Sequence, residues 1–159
     1  MEKHLKIPFT AFNNDWNLLQ KFLEGRGNPR YELVGNVDLR CREDIFDLGN
    51  LVRVDGDLRL GRSSIKSLGI LERVDGYLYL RETPIESLGI LRYVGSSLYL
   101  ANSQINSLEN LEYVGNSLDI IETSIQSLGK LKYVGKAIVI SENHQIPEEQ
   151  LIKFKIIYW

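Results

Sequence analysis

A phrase of twenty residues recurs through most of the chain. The leucines of successive copies are Leu48, Leu68, Leu88, Leu108 and Leu128, and the valines keep the same step at Val34, Val54, Val74, Val94, Val114 and Val134. A fixed period of this length is typical of a solenoid, in which each repeat forms one coil stacked on the previous one. The repeat therefore predicts the architecture, and it leaves open what the surface of the solenoid binds.

Each repeat contains a short segment whose side chains alternate between inward and outward positions. In one copy, the apolar residues Leu98 and Leu100 flank Tyr99, which is the period of two that a β-strand requires. The other copies carry the pairs Leu58/Leu60, Leu78/Leu80, Leu118/Ile120 and Ile138/Ile140. Stacked about 4.8 Å apart, these segments are expected to form one parallel sheet over a core that no single coil could bury alone.

Small residues mark the corners of each coil. Gly95 follows Val94 directly and Gly76 comes one residue after the equivalent position, so both glycines are expected in left-handed turns. Two columns of hydroxyl residues follow, at Ser63, Thr83, Ser103 and Thr123 and at Ser67, Ser87, Ser107 and Ser127. We expect these hydroxyls to bond to backbone groups of adjacent coils, which is a structural role and not a catalytic one.

Three zones form one domain: a helical N-terminal cap over 1–33, five to six coils over 34–143, and a C-terminal cap over 144–159. In the first zone, the spacing of apolar residues predicts a helix over 15–23 that Asn14 or Asp15 can cap. In the last zone, Pro147 and two following glutamates are typical of a first helical turn. The alternative for this tail is a docking segment that inserts Trp159 into a partner.

Composition limits the possible partners. Charged residues make up 25% of the chain and the formal net charge is −2, so a general nucleic-acid binder, which needs a basic excess, is not expected. Cys41 is the only cysteine, which precludes an intrachain disulfide and is expected to be a half-buried structural residue. The sequence has no apolar run of eighteen residues and no signal-peptide pattern. We therefore expect a cytoplasmic protein with no membrane contact.

The segment Leu78-x-Leu80-x-x-Thr83-x-Ile85-x-x-Leu88-x-x-Leu91 resembles the leucine-rich repeat pattern. The Val94-Gly95 step before the strand also resembles the receptor L domain, a related right-handed β-helix. The usual asparagine of the leucine-rich repeat is replaced here by Ser or Thr. The resemblance implies a mainly β, right-handed parallel solenoid that acts as a binding scaffold, is not an enzyme, and contacts its ligand through outward residues of the strand face.

The sequence contains no convincing catalytic or cofactor site. His4 and His144 lie in opposite end zones, so we expect no metal site and no histidine-based nucleophile. Neither a glycine-rich phosphate loop nor a nucleophile elbow is present. A polysaccharide-cleaving β-helix would need paired carboxylates, and Asp119 with Glu122 is the best candidate pair. We expect no cofactor.

The outward residues of the strand face are expected to stack in columns. One column is Asp38, Arg59, Tyr79, Tyr99, Asp119 and Val139, and the columns beside it contribute Tyr77 and Arg81. Tyrosine and arginine are enriched at protein interfaces, so Arg59, Tyr77, Tyr79, Arg81 and Tyr99 are the candidate partner-binding residues. The alternative is that the aromatic neighbours only stabilise the sheet. A rival column on another side of the coil is Arg53, Arg73, Tyr93, Tyr113 and Tyr133.

The leading hypothesis is a module that binds a protein partner on its strand face, as an inhibitor or sequestering factor. The first alternative is a β-helix that binds or cleaves carbohydrate, favoured by surface aromatic residues and carboxylates. The second is a self-assembling structural protein joined through the side that carries Tyr93, Tyr113 and Tyr133. The sequence does not decide between a monomer and a homo-oligomer.

Overall fold

A computed structural model describes residues 4–159 and shows a parallel β-solenoid of about twenty-residue coils. Each complete coil contributes one short strand to each of two seven-stranded parallel sheets. Sheet A contains β1 (Leu5–Pro8), β2 (Tyr31–Val34), β4 (Leu51–Val54), β6 (Arg73–Val74), β8 (Tyr93–Val94), β10 (Tyr113–Val114) and β12 (Tyr133–Val134). Sheet B contains β3 (Val37–Asp38), β5 (Leu58–Arg59), β7 (Leu78–Tyr79), β9 (Leu98–Tyr99), β11 (Leu118–Asp119), β13 (Ile138–Ile140) and β14 (Ile156–Tyr158).

Sheet B is the sheet that the alternating pattern predicts, whereas sheet A is an addition that the structure reveals. The prediction of one sheet was therefore incomplete. Most strands of sheet A contain only two residues, as in Tyr93–Val94, and two residues are too few to show alternation. A single corner separates the sheets, because each sheet A strand ends a few residues before the next sheet B strand begins.

One continuous hydrophobic core runs along the stack from Ile7 to Leu151. In a central coil, Leu78, Leu80 and Ile85 are fully buried, as the repeat predicts. The equivalent residues of neighbouring coils lie one strand spacing apart. Each inward side chain therefore packs on the equivalent side chains of the coils above and below it. The outward residues between them therefore form the regular columns that carry any surface site.

The register between coils is twenty residues except at the two ends of the stack, where β13 and β14, for example, pair Ile138 with Ile156. Leu33 and not Val34 is the partner of Val54, and Val37 pairs with Leu58, which is a step of one residue more. An irregularity at Tyr31/Glu32 accommodates the extra residue. Val34 therefore keeps the twenty-residue step in the sequence but is exposed, whereas Val54 and Val74 are buried.

The corner glycines serve a different purpose from the one predicted. Gly95, Gly115 and Gly135 do not have the positive φ of a left-handed turn. A Cβ added at Gly115 would instead lie 2.0 Å from the carbonyl oxygen of Gly95, in the coil below. Close backbone approach, and not turn conformation, excludes a side chain at this corner.

The backbone groups that the hydroxyl columns bind lie in the same coil and not in adjacent coils, which corrects the second prediction about the corners. Bonds from these columns to another coil go to side chains, as from Ser87 Oγ to the Glu109 carboxylate at 2.8 Å. Thr83 Oγ1 donates to the carbonyl oxygen of Leu80 at 2.7 Å, and the other members of this column do the same. Ser87 Oγ accepts from the backbone N–H of Gly89 at 2.9 Å, a bond that recurs in the second column. Each coil therefore closes its own turns.

Helix α1 (Trp16–Glu24) forms close to the range predicted from the sequence, 15–23. The Asp15 side chain caps it by accepting from the backbone N–H of Asn17 at 2.9 Å. Trp16, Leu19 and Leu23 are its buried residues. The zone is not purely helical, because β1 precedes α1, a 3-10 turn (Phe9–Phe12) lies between them, and β2 follows.

The C-terminal tail is mostly extended. Helix α2 (Glu148–Leu151) is a single turn, with Pro147 as its N-cap residue and Leu151 buried. The tail then returns to sheet B as β14, which pairs in parallel with β13. The tail thus continues the solenoid by one further strand, while Trp159 remains 79% exposed.

Candidate protein-binding surface

The five predicted site residues lie together on the outer face of sheet B. Arg59, Tyr79 and Tyr99 occupy equivalent positions of β5, β7 and β9 and therefore stand in one column. They point outward because the residues on either side of each of them are inward leucines. Tyr77 and Arg81 flank this column, one from the corner before β7 and the other just after it. We call Arg59, Tyr77, Tyr79, Arg81 and Tyr99 the tyrosine patch.

The three rings of the tyrosine patch are packed against one another. The ring centroids of Tyr79 and Tyr99 are 4.5 Å apart with an interplanar angle of 15°. Tyr77 lies 6.0 Å from Tyr79 and 6.3 Å from Tyr99. All three residues are half-buried. Because each ring contacts the other two, the side chains of the patch retain little conformational freedom.

An arginine lies beside each end of the Tyr79–Tyr99 stack. The Arg59 guanidinium carbon is 5.9 Å from the Tyr79 centroid, and that of Arg81 is 4.9 Å from the Tyr99 centroid, both within cation–π range. Each arginine also binds a carboxylate, Arg59 with Asp57 at 3.2 Å and Arg81 with Asp119. These contacts fix both guanidinium groups in place.

Two carboxylates next to the tyrosine patch bind both its arginines and nearby backbone N–H groups. The buried Asp119 accepts from the backbone N–H of Ile121 at 3.2 Å in addition to its bond with Arg81. Asp57 accepts from the backbone N–H of Tyr77 at 2.9 Å. Opposite charges are thus paired within the patch, so its outer surface combines tyrosine rings with guanidinium groups whose charge is already balanced.

Burial also favours the protonated form of Tyr79. Desolvation raises the pKa of Tyr79, and the neighbouring Tyr99 raises it further. A phenol with a raised pKa remains neutral at physiological pH, when it can both donate and accept a hydrogen bond. The Tyr79 hydroxyl is therefore a neutral group.

The rival column is a second aromatic stack, on the outer face of sheet A. The rings of Tyr93 and Tyr113 are 4.6 Å apart and nearly parallel, and Tyr133 follows at 4.8 Å. The Arg73 guanidinium lies over the other face of Tyr93, at 3.7 Å. We call Tyr93, Tyr113 and Tyr133 the tyrosine ladder. Its ring faces are occupied by each other, so most of its surface presents ring edges.

Beyond the ladder, sheet A carries a charged cluster. Arg53 and Arg73 both bind the carboxylate of Asp75. Burial opposes ionisation of Asp75, but the two arginines outweigh it and lower the pKa of this carboxyl. The charges of Arg53 and Arg73 are thus paired with a neighbouring carboxylate on the same face.

Each of the other candidate catalytic or metal-binding side chains has a hydrogen-bonding or ring partner of its own. Asp119 is engaged by Arg81, whereas Glu122 accepts from Ser141 Oγ at 3.3 Å at the edge of a cleft of about 420 Å³. His4 contacts Glu32 at 3.3 Å near one end of the stack, and His144 lies beside Tyr158 at the other. Within residues 4–159, no group of three or more His, Cys, Asp or Glu could hold a metal ion.

Two features of the surface were not anticipated. The Arg81–Asp119 bond spans two coils, and the sequence offers only a weak signal for it, a carboxylate that interrupts an aromatic column. Cys41 is exposed and has a positive φ of 58°, so the prediction of a half-buried structural cysteine was wrong. The extra residue in the register near β3 aligns Cys41 with Arg62 and Glu82, which occupy the same left-handed corner position in the next coils.

Among the described residues, no helix is both long and apolar enough to cross a membrane. Comparisons with protein-family models, with curated proteins and with solved structures give no significant match to this chain.

Proposed function

We propose that this chain is a non-enzymatic protein-binding module and that the tyrosine patch contacts the partner. The observation that carries the proposal is the ordered stack of Tyr79 and Tyr99, with an arginine held at each end by a carboxylate. Tyrosine and arginine are the residue types that supply most interface energy, particularly when they lie centrally and are held rigidly. An inhibitor or sequestering factor would act in this way, by occupying a partner's surface.

Two further points support a leucine-rich-repeat-like scaffold. The inward residues follow the repeat pattern, and the Ser or Thr in the place of the usual asparagine closes the turn through its side chain, as Thr83 does to Leu80. We infer a right-handed stack of this family type, closed by α1 at one end and by the tail at the other. The exposed, unpaired Cys41 suits the reducing cytoplasm, where we place the protein.

A protein partner is favoured over a carbohydrate by the ring geometry. A sugar packs its C–H groups on the open face of an aromatic ring, but the stacked rings of Tyr79 and Tyr99 cover each other's faces. Ring edges, hydroxyls and guanidinium groups remain, and these suit the mixed polar and apolar surface of a protein.

The test compares the two aromatic surfaces within one protein. Affinity capture from the source cells, quantified by mass spectrometry, uses the wild type, the Tyr79→Ala/Tyr99→Ala variant and the Tyr113→Ala/Tyr133→Ala variant. We expect at least one protein to be captured by the wild type and the ladder variant and to be lost with the patch variant. Because two central anchors of about 2 kcal/mol each are removed, the affinity for the purified partner should fall by roughly 1,000-fold.

Folding of both variants is checked by thermal melting, since outward truncations should leave the core intact. Loss of binding in the ladder variant alone would move the site to sheet A. A partner that both variants retain would exclude both aromatic surfaces.

A further inference from the structure

The C-terminal end of the solenoid exposes an edge strand that is not blocked. In β14, the carbonyl oxygen of Lys155 accepts from Ile138 and the N–H of Trp159 donates to Ile140, so these alternate residues face β13. Along a parallel strand the backbone groups point alternately to the two sides, so those of Ile156 and Tyr158 face away from the sheet. Sheet B therefore ends with two residues whose backbone donors and acceptors are open to a further strand.

The same end carries exposed apolar side chains. Ile157 is 44% exposed on the outer face, Tyr158 is 50% exposed, and Trp159 and Ile152 are exposed to 79% and 81%. An open strand edge with apolar side chains is a template for pairing with another chain.

The N-terminal end is protected against such pairing. In β1, the N–H of Leu5 donates to Arg30, so Lys6 and Pro8 supply the backbone groups of the free edge. Proline has no N–H to donate, and an edge lysine is unfavourable to bury. At the sheet B edge, Asp38 of β3 uses its own carboxylate to accept from the backbone N–H of Arg40 at 3.2 Å. These devices disfavour head-to-tail stacking of copies.

We propose that β14 pairs antiparallel with β14 of a second copy, which joins two solenoids tail to tail. Only one register uses all the free backbone groups. In that register, Ile156 of each copy lies opposite Tyr158 of the other copy, and each of these two pairs forms two backbone hydrogen bonds, four in all. Ile157 then lies opposite itself in a non-hydrogen-bonded pair, where side chains approach most closely. Lys155 lies opposite Trp159 of the other copy, where an ammonium group can rest on the indole ring.

This register is self-complementary, and that is the reason for assigning the surface to a second copy. It sets apolar against apolar at the centre and a cation against an aromatic ring on each side, with no pair of like charges facing. The contact is isologous, so it closes after two copies and does not extend into a filament.

Sedimentation equilibrium and light scattering of the 159-residue chain test the proposal. We expect a mass twice the 18.3 kDa of one chain at micromolar to millimolar concentration. Ile157→Lys places two like charges opposite each other and should give a monomer. Ile157→Glu should do the same, and mixing the two variants should restore a dimer, because residue 157 then faces an opposite charge.

Leu18→Lys is the matched control, since Leu18 is an equally exposed apolar residue, 46% exposed, on α1 at the other end. It should leave the dimer unchanged. A wild-type chain that stays monomeric at millimolar concentration would overturn the proposal. So would a dimer that survives Ile157→Lys, or one that Leu18→Lys dissociates, or variants that fail to reassociate when mixed. Circular dichroism of each variant establishes that it remains folded.

Discussion

The Tyr31 hydroxyl lies within the core, where only 1% of the residue is exposed. Burial raises its pKa to about 12, although a hydrogen bond from the side chain of Gln20 acts in the opposite direction. The neutral phenol is therefore strongly preferred in the folded state. In the unfolded chain the same group ionises near pH 10.

This difference predicts a loss of stability on the alkaline side. Because the raised pKa disfavours the ionised form in the folded state, the stabilisation is complete below pH 10 and is lost as the pH rises from 10 towards 12. The loss should reach about 3 kcal/mol of unfolding free energy. Urea unfolding at a series of pH values measures it, with Tyr31→Phe as the comparison.

Tyr31→Phe removes the ionisable group but keeps the ring, so its unfolding free energy should fall less steeply between pH 10 and pH 12 than that of the wild type. Parallel pH profiles for the two proteins would show that Tyr31 ionises as easily in the folded state as in the unfolded one.

At the scale of the element, the spacing between coils depends on the glycine corner. Gly115→Ala would place a Cβ 2.0 Å from a backbone oxygen that cannot rotate away. We expect a destabilisation of about 1–3 kcal/mol or more, since adjacent coils must separate locally. Gly61→Ala is the control, because its Cβ would lie at an ordinary 3.5 Å from the carbonyl oxygen of Arg81.

Gly61→Ala should be neutral or stabilise by up to about 1 kcal/mol, because alanine restricts the unfolded chain. Thermal and chemical unfolding of both variants measure the difference. If Gly115→Ala were as stable as Gly61→Ala, the coils would be less closely stacked at this corner than the structure indicates.

The strands also show how far the sequence predicts this fold. The segment Leu98–Leu100 was predictable because alternation and repetition agree there, and the repeat then fixes which side chains are neighbours. Tyr79 and Tyr99 were therefore placed correctly in one column without knowledge of the structure. The two-residue strands of sheet A are too short to show alternation in the sequence. The reason for a glycine at position 95 could not be inferred either, because a left-handed turn and a close backbone approach both favour glycine.

Charge pairing was predictable only between sequence neighbours or adjacent coils. Arg40 with Asp38 is two residues apart, whereas Arg81 reaches Asp119 across two coils. The direction in which a long side chain lies over a sheet depends on the space left by its neighbours. The aligned sequence of the repeats does not give that space. The location of the patch was thus predictable, and its internal bonding was not.

At the scale of the whole molecule, the two ends are closed by different means. Helix α1 contributes the buried residues Trp16, Leu19 and Leu23 to the core, whereas the tail contributes Leu151 and a further strand. Deleting 147–159 would remove that strand and expose β13 together with the core beneath Leu151. Since one buried leucine contributes about 2–5 kcal/mol, the melting temperature should fall by at least about 5 °C, with aggregation on heating.

Differential scanning calorimetry and light scattering measure both effects at low protein concentration. Ile152→Ser provides the control, because this residue of the tail is 81% exposed and contributes little to the core. An unchanged melting temperature after deletion would mean that the tail does not close the core.

The turns that each coil closes with its own hydroxyls have a consequence for how such a molecule changes length. Each coil contacts its neighbours through the same backbone hydrogen bonds, glycine corner and inward leucines, so one copy can replace another. In-frame duplication or loss of twenty residues should then alter the stack by one strand spacing, about 4.8 Å, without rebuilding any turn. The number of repeats therefore sets the distance between the two ends of the solenoid, and that distance changes in equal steps.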